Sequence, residues 1–105
     1  MLVLFDEKVE DYLSELIEIL YRKEYFGFVD AAYSYVDELI DEIEKTIDIK
    51  PYKQAPQYFS KYGKDLLYFG IKKNDNTQWY IFFNYENGVY FIRYIGNNHN
   101  CAKYL

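Results

Sequence analysis

The stretch Trp79–Leu105, WYIFFNYENGVYFIRYIGNNHNCAKYL, constrains the fold most, because two runs of aromatic and β-branched residues flank an Asn-Gly turn. Trp79–Tyr85 and Val89–Ile95 have the composition of a pleated sheet buried on at least one face. Between them Glu86-Asn87-Gly88 supplies the link, and Asn-Gly tolerates the positive φ that a tight hairpin requires. The two runs are predicted to be antiparallel neighbours. The rest of the chain must then cover them.

Upstream, Leu2–Phe5 is a short apolar run predicted as a first strand, and Asp6 with Glu7 has the character of a helix start. Val9, Leu13, Leu16 and Leu20 recur at helical spacing, with Tyr12, Ile17 and Ile19 widening the stripe. Arg22–Gly27 interrupts the period, and Gly27 suits a turn. A second helix is predicted over about Phe28 to Thr46, where Ala32, Val36, Leu39 and Ile43 repeat the spacing. Asp48–Ser60, DIKPYKQAPQYFS, carries both prolines and is predicted as a linking loop. In Lys64–Lys73, Leu67, Phe69 and Ile71 alternate with Tyr68, Gly70 and Lys72, the period of a half-buried strand. Lys72–Gln78 is polar and connects it to Trp79. The predicted order is β-α-α-β-β-β: an α+β domain with a two-helix hairpin on one face of a twisted antiparallel sheet of three to four strands, followed by a last helical turn or extended tail after Asn97.

With 105 residues, half of them hydrophobic, the chain is predicted to form one domain spanning 1–105. It holds no apolar run near membrane-span length, and its start, MLVLFDEK, does not have the character of a signal peptide, so a cytoplasmic protein without a membrane partner is expected. Cys101 is the single cysteine and cannot form an internal disulfide or, alone, a zinc or iron–sulfur site; no metal or cofactor is expected. Charge is divided along the chain. Residues 1–48 hold 14 Asp and Glu against 4 Lys and Arg, a net of −10; residues 49–105 hold 3 against 8, a net of +5, and together they return the chain's −5. Such asymmetry fits an acidic cover with a second half able to meet an anion, and equally helices that carry acids on wet faces.

The segments YFGFVDAAYSYVDELIDEI and TQWYIFFNYENGVYFIRYIGNNHNCAKYL, with the order of elements, resemble the RelE/ParE superfamily of type II toxins, in particular a Bacteroidetes-type branch with a similar WYIFF strand and NNH tail. The resemblance covers nearly the whole chain. It implies a small toxin neutralised by a cognate antitoxin that wraps around it. It further implies either cleavage of ribosome-bound mRNA, as in RelE-like members, or inhibition of DNA gyrase, as in ParE-like ones. Gly96 matches the glycine that ends the last strand of the ribonucleases, and Tyr104, eight residues beyond, matches their C-terminal tyrosine. Asn97 and Asn98 stand where those sequences carry a basic residue, with His99 following. Tyr80 or Ile81 stands where they carry a strand arginine.

Cutting RNA requires a group that takes a proton from the 2′-hydroxyl, one that protonates the leaving oxygen and a cation that steadies the phosphate. His99 is the only imidazole, and imidazoles titrate near neutrality. Tyr104 suits base stacking or acid catalysis, and Lys103 and Arg93 are the nearest cations. His99, Tyr104, Arg93 and Lys103 are therefore the candidate catalytic set. Two of them have a plainer alternative: His99 as an exposed residue of an Asn-rich turn, Arg93 as the ion-pair partner of a helix acid. By period two, Arg93 is expected to share a face with Phe91 and Ile95, opposite Tyr90, Ile92 and Tyr94. Lys50, Tyr52, Lys53, Tyr58, Lys61, Tyr62, Lys64, Lys72 and Lys73 have the composition of a single-strand binding surface. Cys101 is expected to be inert. Two rival readings stay open: a gyrase inhibitor acting through the helical hairpin, and a degenerate toxin-like domain that binds an antitoxin-like partner or, as a homodimer, itself.

Overall fold

The computed structural model describes residues 1–22 and 29–105; the turn expected at Gly27 and the helix start expected at Phe28 lie outside them. The elements are β1 (Leu2–Phe5), α1 (Glu7–Arg22), α2 (Val29–Thr46), β2 (Lys53–Gln54), a 3₁₀ turn (Gln57–Tyr62), β3 (Leu67–Asn74), β4 (Thr77–Glu86), β5 (Val89–Asn97), the one-turn helix α3 (Asn98–Cys101) and a second 3₁₀ turn (Ala102–Tyr104). The fold is α+β, with the helices on one face of the sheet. Asp6 starts α1 as expected, its Oδ1 accepting the Lys8 N–H at 3.0 Å.

The sheet differs from the expectation of three to four antiparallel strands. It has five, in the order β1-β5-β4-β3-β2, and it is mixed, because β1 runs parallel to β5 from Leu2 opposite Val89 to Phe5 opposite Ile92. No turn joins β1 to β5, so nothing local sets its direction; a parallel neighbour requires a long connection, here all the intervening elements. The fifth strand lies in the predicted linking loop, where Lys53 and Gln54 pair with Tyr68 and Leu67. The β4–β5 hairpin forms as expected, with Asn87 at φ 51° and Gly88 at φ 80° closing the turn.

The helices present the predicted stripes. Val9, Leu13 and Leu16 of α1 and Val36, Leu39 and Ile43 of α2 pack on Phe69, Ile71, Trp79, Ile81, Phe83, Ile92 and Ile95. Full burial of such side chains stabilises by about 1.5–3 kcal/mol each.

Ile92 and Ile95 occupy the same core, which strict alternation forbids. A β-bulge explains it. Phe82 pairs with Tyr94 and Phe83 with Ile92, so Arg93 has no partner in β4. The extra residue resets the alternation, and the expectation that Ile92 and Ile95 point oppositely is corrected.

The other sheet face is half covered. Phe59, Leu66, Phe82 and Cys101 form a second buried cluster, joined by Tyr62, Tyr68, Tyr80, Tyr94 and Tyr104. Phe59 lies 4.5 Å from Phe82, ring to ring, and Tyr62 stacks on Tyr94 at 3.7 Å. The first 3₁₀ turn and the C-terminal tail therefore lie over the strands on the face opposite the helices. Gly96 allows this, because a Cβ there would overlap Cys101 Sγ. Among the described residues no helix is long and apolar enough to cross a membrane.

The two cores are expected to melt as one unit. Ile43→Ala on the helix side should cost about 2–5 kcal/mol and Phe82→Ala on the other about 3–5 kcal/mol, each read from the urea midpoint at unchanged slope.

Candidate functional site

The tail holds the most ordered polar chemistry. Asn97 Oδ1 accepts the His99 and Asn100 N–H groups at 2.9 and 3.2 Å, while Asn100 Oδ1 accepts the Asn97 N–H at 2.9 Å. This reciprocal cap starts α3 directly after β5. Asn98 ties the turn to the β3–β4 corner: its Oδ1 accepts the Gln78 N–H at 3.0 Å and its Nδ2 donates to the Asn76 carbonyl at 3.1 Å. The three asparagines thus hold the backbone, and the His99 imidazole, which forms no hydrogen bond with another described residue, stands exposed at the rim of a cleft of about 590 Å³. Tyr12, Tyr35 and Trp79 line the same cleft.

Arg93 lies elsewhere, at the bulge, where it meets two clefts. Its Nε, shielded from solvent and without a hydrogen bond, faces Asp6 Oδ2 at 3.5 Å, and its Nη1 donates to Asn84 Oδ1 at 3.5 Å. The ion pair with an acid that starts a helix is therefore present. One of the two clefts, an open trough of about 800 Å³, also holds Lys64, Asp65 and Phe91.

Lys103 and Tyr104 form a third place, on the covered sheet face. Tyr104 stacks on Tyr58 at 3.6 Å with the planes 4° apart. Lys61 Nζ sits 3.9 Å from the Tyr58 ring centre and Lys103 Nζ 5.0 Å from that of Tyr104, so two cations flank a pair of phenols. The Lys61 ammonium holds the Tyr58 hydroxyl below the usual phenol range, aided by Tyr104, and the same contact raises Lys61.

The chain matches no family model, no curated protein and no solved structure. Of the four candidates, Lys103 and Tyr104 stand together, whereas Arg93 and His99 line separate clefts. The basic and aromatic set is also divided. Lys61 belongs to the tyrosine stack, but Lys50 donates to the Gly70 carbonyl at 3.0 Å, Lys72 meets Asp75 at 3.6 Å and Lys73 meets Glu42 at 3.8 Å. Tyr58 was legible only as one of many aromatics, since its pairing with Tyr104 joins distant parts of the chain and leaves no local period. Cys101 is fully buried, and burial raises its thiol, as an inert cysteine requires. Among the described residues no cluster of His, Cys, Asp and Glu is placed to hold a metal ion.

Burial pushes the Tyr12 hydroxyl from 10.0 up to about 12. The unfolded chain releases this proton first, so the contribution to stability is complete below pH 10 and is lost as pH rises through about 12. In urea titrations across that window, Tyr12→Phe should flatten the decline. An unchanged slope would remove Tyr12 as its source.

Proposed function

We propose that this chain is the toxin of a RelE/ParE-like toxin–antitoxin pair and cleaves ribosome-bound mRNA. The observation that carries the reading is the cationic tyrosine stack on the side of the sheet away from the acidic helices. Lys61 and Lys103 offer charge to phosphates, and the paired phenols of Tyr58 and Tyr104 offer a proton donor and acceptor at one point. In such a cleavage the 2′-oxygen forms a bond to phosphorus as the bond to the 5′-oxygen breaks. Tyr58, with the Lys61 ammonium over its ring, is placed to take the first proton, and Tyr104, stacked on it, to deliver the second. His99 and Arg93, on their own clefts, serve this reading as contacts along the RNA. A cognate antitoxin would neutralise the protein by covering the stack.

A gyrase inhibitor is the second reading, and a groove of about 260 Å³ between the helices favours it. Leu13, Ile17, Val36 and Ile40 line this groove and Glu10 and Asp37 rim it, a surface suited to a protein partner.

Induction of the chain should arrest growth and yield new mRNA 5′ ends, with Tyr104→Phe and His99→Ala each reducing cleavage, Tyr104→Phe by about 10²-fold or more. Intact messages during arrest would end the ribonuclease reading, and loss of supercoiling by purified gyrase would replace it with the second.

A further inference from the structure

We propose that the cleft between the two helices, the β3–β4 corner and α3 binds an uncharged nucleobase splayed out of single-stranded RNA. This rests on the ribonuclease reading for its source of RNA, but the cleft itself is argued from its lining.

At about 590 Å³ the cleft lies within the range of about 300–1,000 Å³ common for small-molecule sites. Its floor is apolar and fixed. Leu16 is 4% exposed and Trp79 2% exposed, and the Trp79 Nε1–H donates to the Tyr35 hydroxyl at 2.9 Å. Tyr12 adds aromatic surface from α1, so a planar ring entering the cleft meets a stacking partner.

Among the described residues the rim is polar and holds no acid, lysine or arginine, although 28% of the chain is charged. Phosphate, carboxylate or ammonium would be left without a counter-charge there. Lys73, beside Tyr35, is held by Glu42 at 3.8 Å. The Arg93 trough is the contrast, since Lys64, Asp65 and Glu86 charge its walls.

What the rim offers is hydrogen-bonding capacity. The Asn76 side-chain amide and the His99 imidazole make no hydrogen bond with another described residue, while the Asn98 bridge to the Asn76 carbonyl fixes their backbones. A carboxamide presents a donor and an acceptor side by side, the complement of a base edge. Flat, neutral and edged with donors and acceptors is the description of an unstacked base, which proteins hold by aromatic stacking and edge hydrogen bonds.

Trp79 is the only tryptophan of the chain and lies in the cleft floor, so its fluorescence reports occupancy. The folded full chain is titrated separately with adenosine, guanosine, cytidine, uridine, ribose and N-acetylphenylalaninamide, exciting at the red edge of the indole band. A saturable change with at least one nucleoside and none with ribose is expected, weakened about fivefold to tenfold in Asn76→Ala. Ile19→Lys, which brings charge to the exposed mouth, should weaken it as well. Circular dichroism confirms that both variants fold. No response to any nucleoside, an equal response to ribose, a response to the phenylalanine amide alone, or binding unchanged in both variants would each overturn the proposal. Nucleoside binding without mRNA cleavage would overturn the ribonuclease reading and keep the cleft; mRNA cleavage without nucleoside binding would do the reverse.

Discussion

A sheet that must fill one core beneath the helices and a second, smaller one on its other face is the constraint on which this molecule depends. β4 sits at its centre between β5 and β3, with the helices on one side and the first 3₁₀ turn and tail on the other. A strand that alternates strictly can send only every second residue to a given core. At β5 the chain must also bring Asp6, Arg93 and Asn84 together at the sheet margin. The bulge at Arg93 resolves this by admitting one unpaired residue, so that Ile92 and Ile95 both reach the helices while Tyr94 still packs against Tyr62.

The same two-sidedness explains the aromatic composition. A chain of this size with 22% aromatic residues has more ring surface than one helix–sheet interface can hold. Phe59, Phe82, Tyr62, Tyr94, Tyr58 and Tyr104 build a second layer of stacked and edge-on rings, a geometry that gains beyond simple area burial. Lysines at the margin of that layer bind ring faces, which places charge beside phenols. Packing and candidate chemistry share side chains here.

Charge division acquires a spatial meaning from the fold. The acids of residues 1–48 lie mainly on the outer faces of α1 and α2, while Lys61, Lys64 and Lys103 belong to segments on the far side of the sheet. Lys61 and Lys103 thus stand apart from the helix acids, while Lys64 has Asp65 and Glu86 beside it. With a screening length of about 8 Å at physiological salt, the helix acids act only weakly across the sheet.

The sequence by itself determined the two amphipathic helices, the hairpin closed by Asn87-Gly88 and the α+β class, because each depends on local period or local backbone freedom. The clustering of Lys103 with Tyr104 was likewise implicit in adjacency. Tertiary structure decided what no local pattern encodes: the parallel seat of β1, the two-residue strand inside a proline-bearing loop, the bulge that reorients Arg93, and the stack of Tyr58 on Tyr104. It also separated His99 from Arg93, since α3 turns away immediately after β5 under its asparagine cap. Pairings between distant segments are chosen by the fit of whole surfaces, and that fit exists only once the chain has folded.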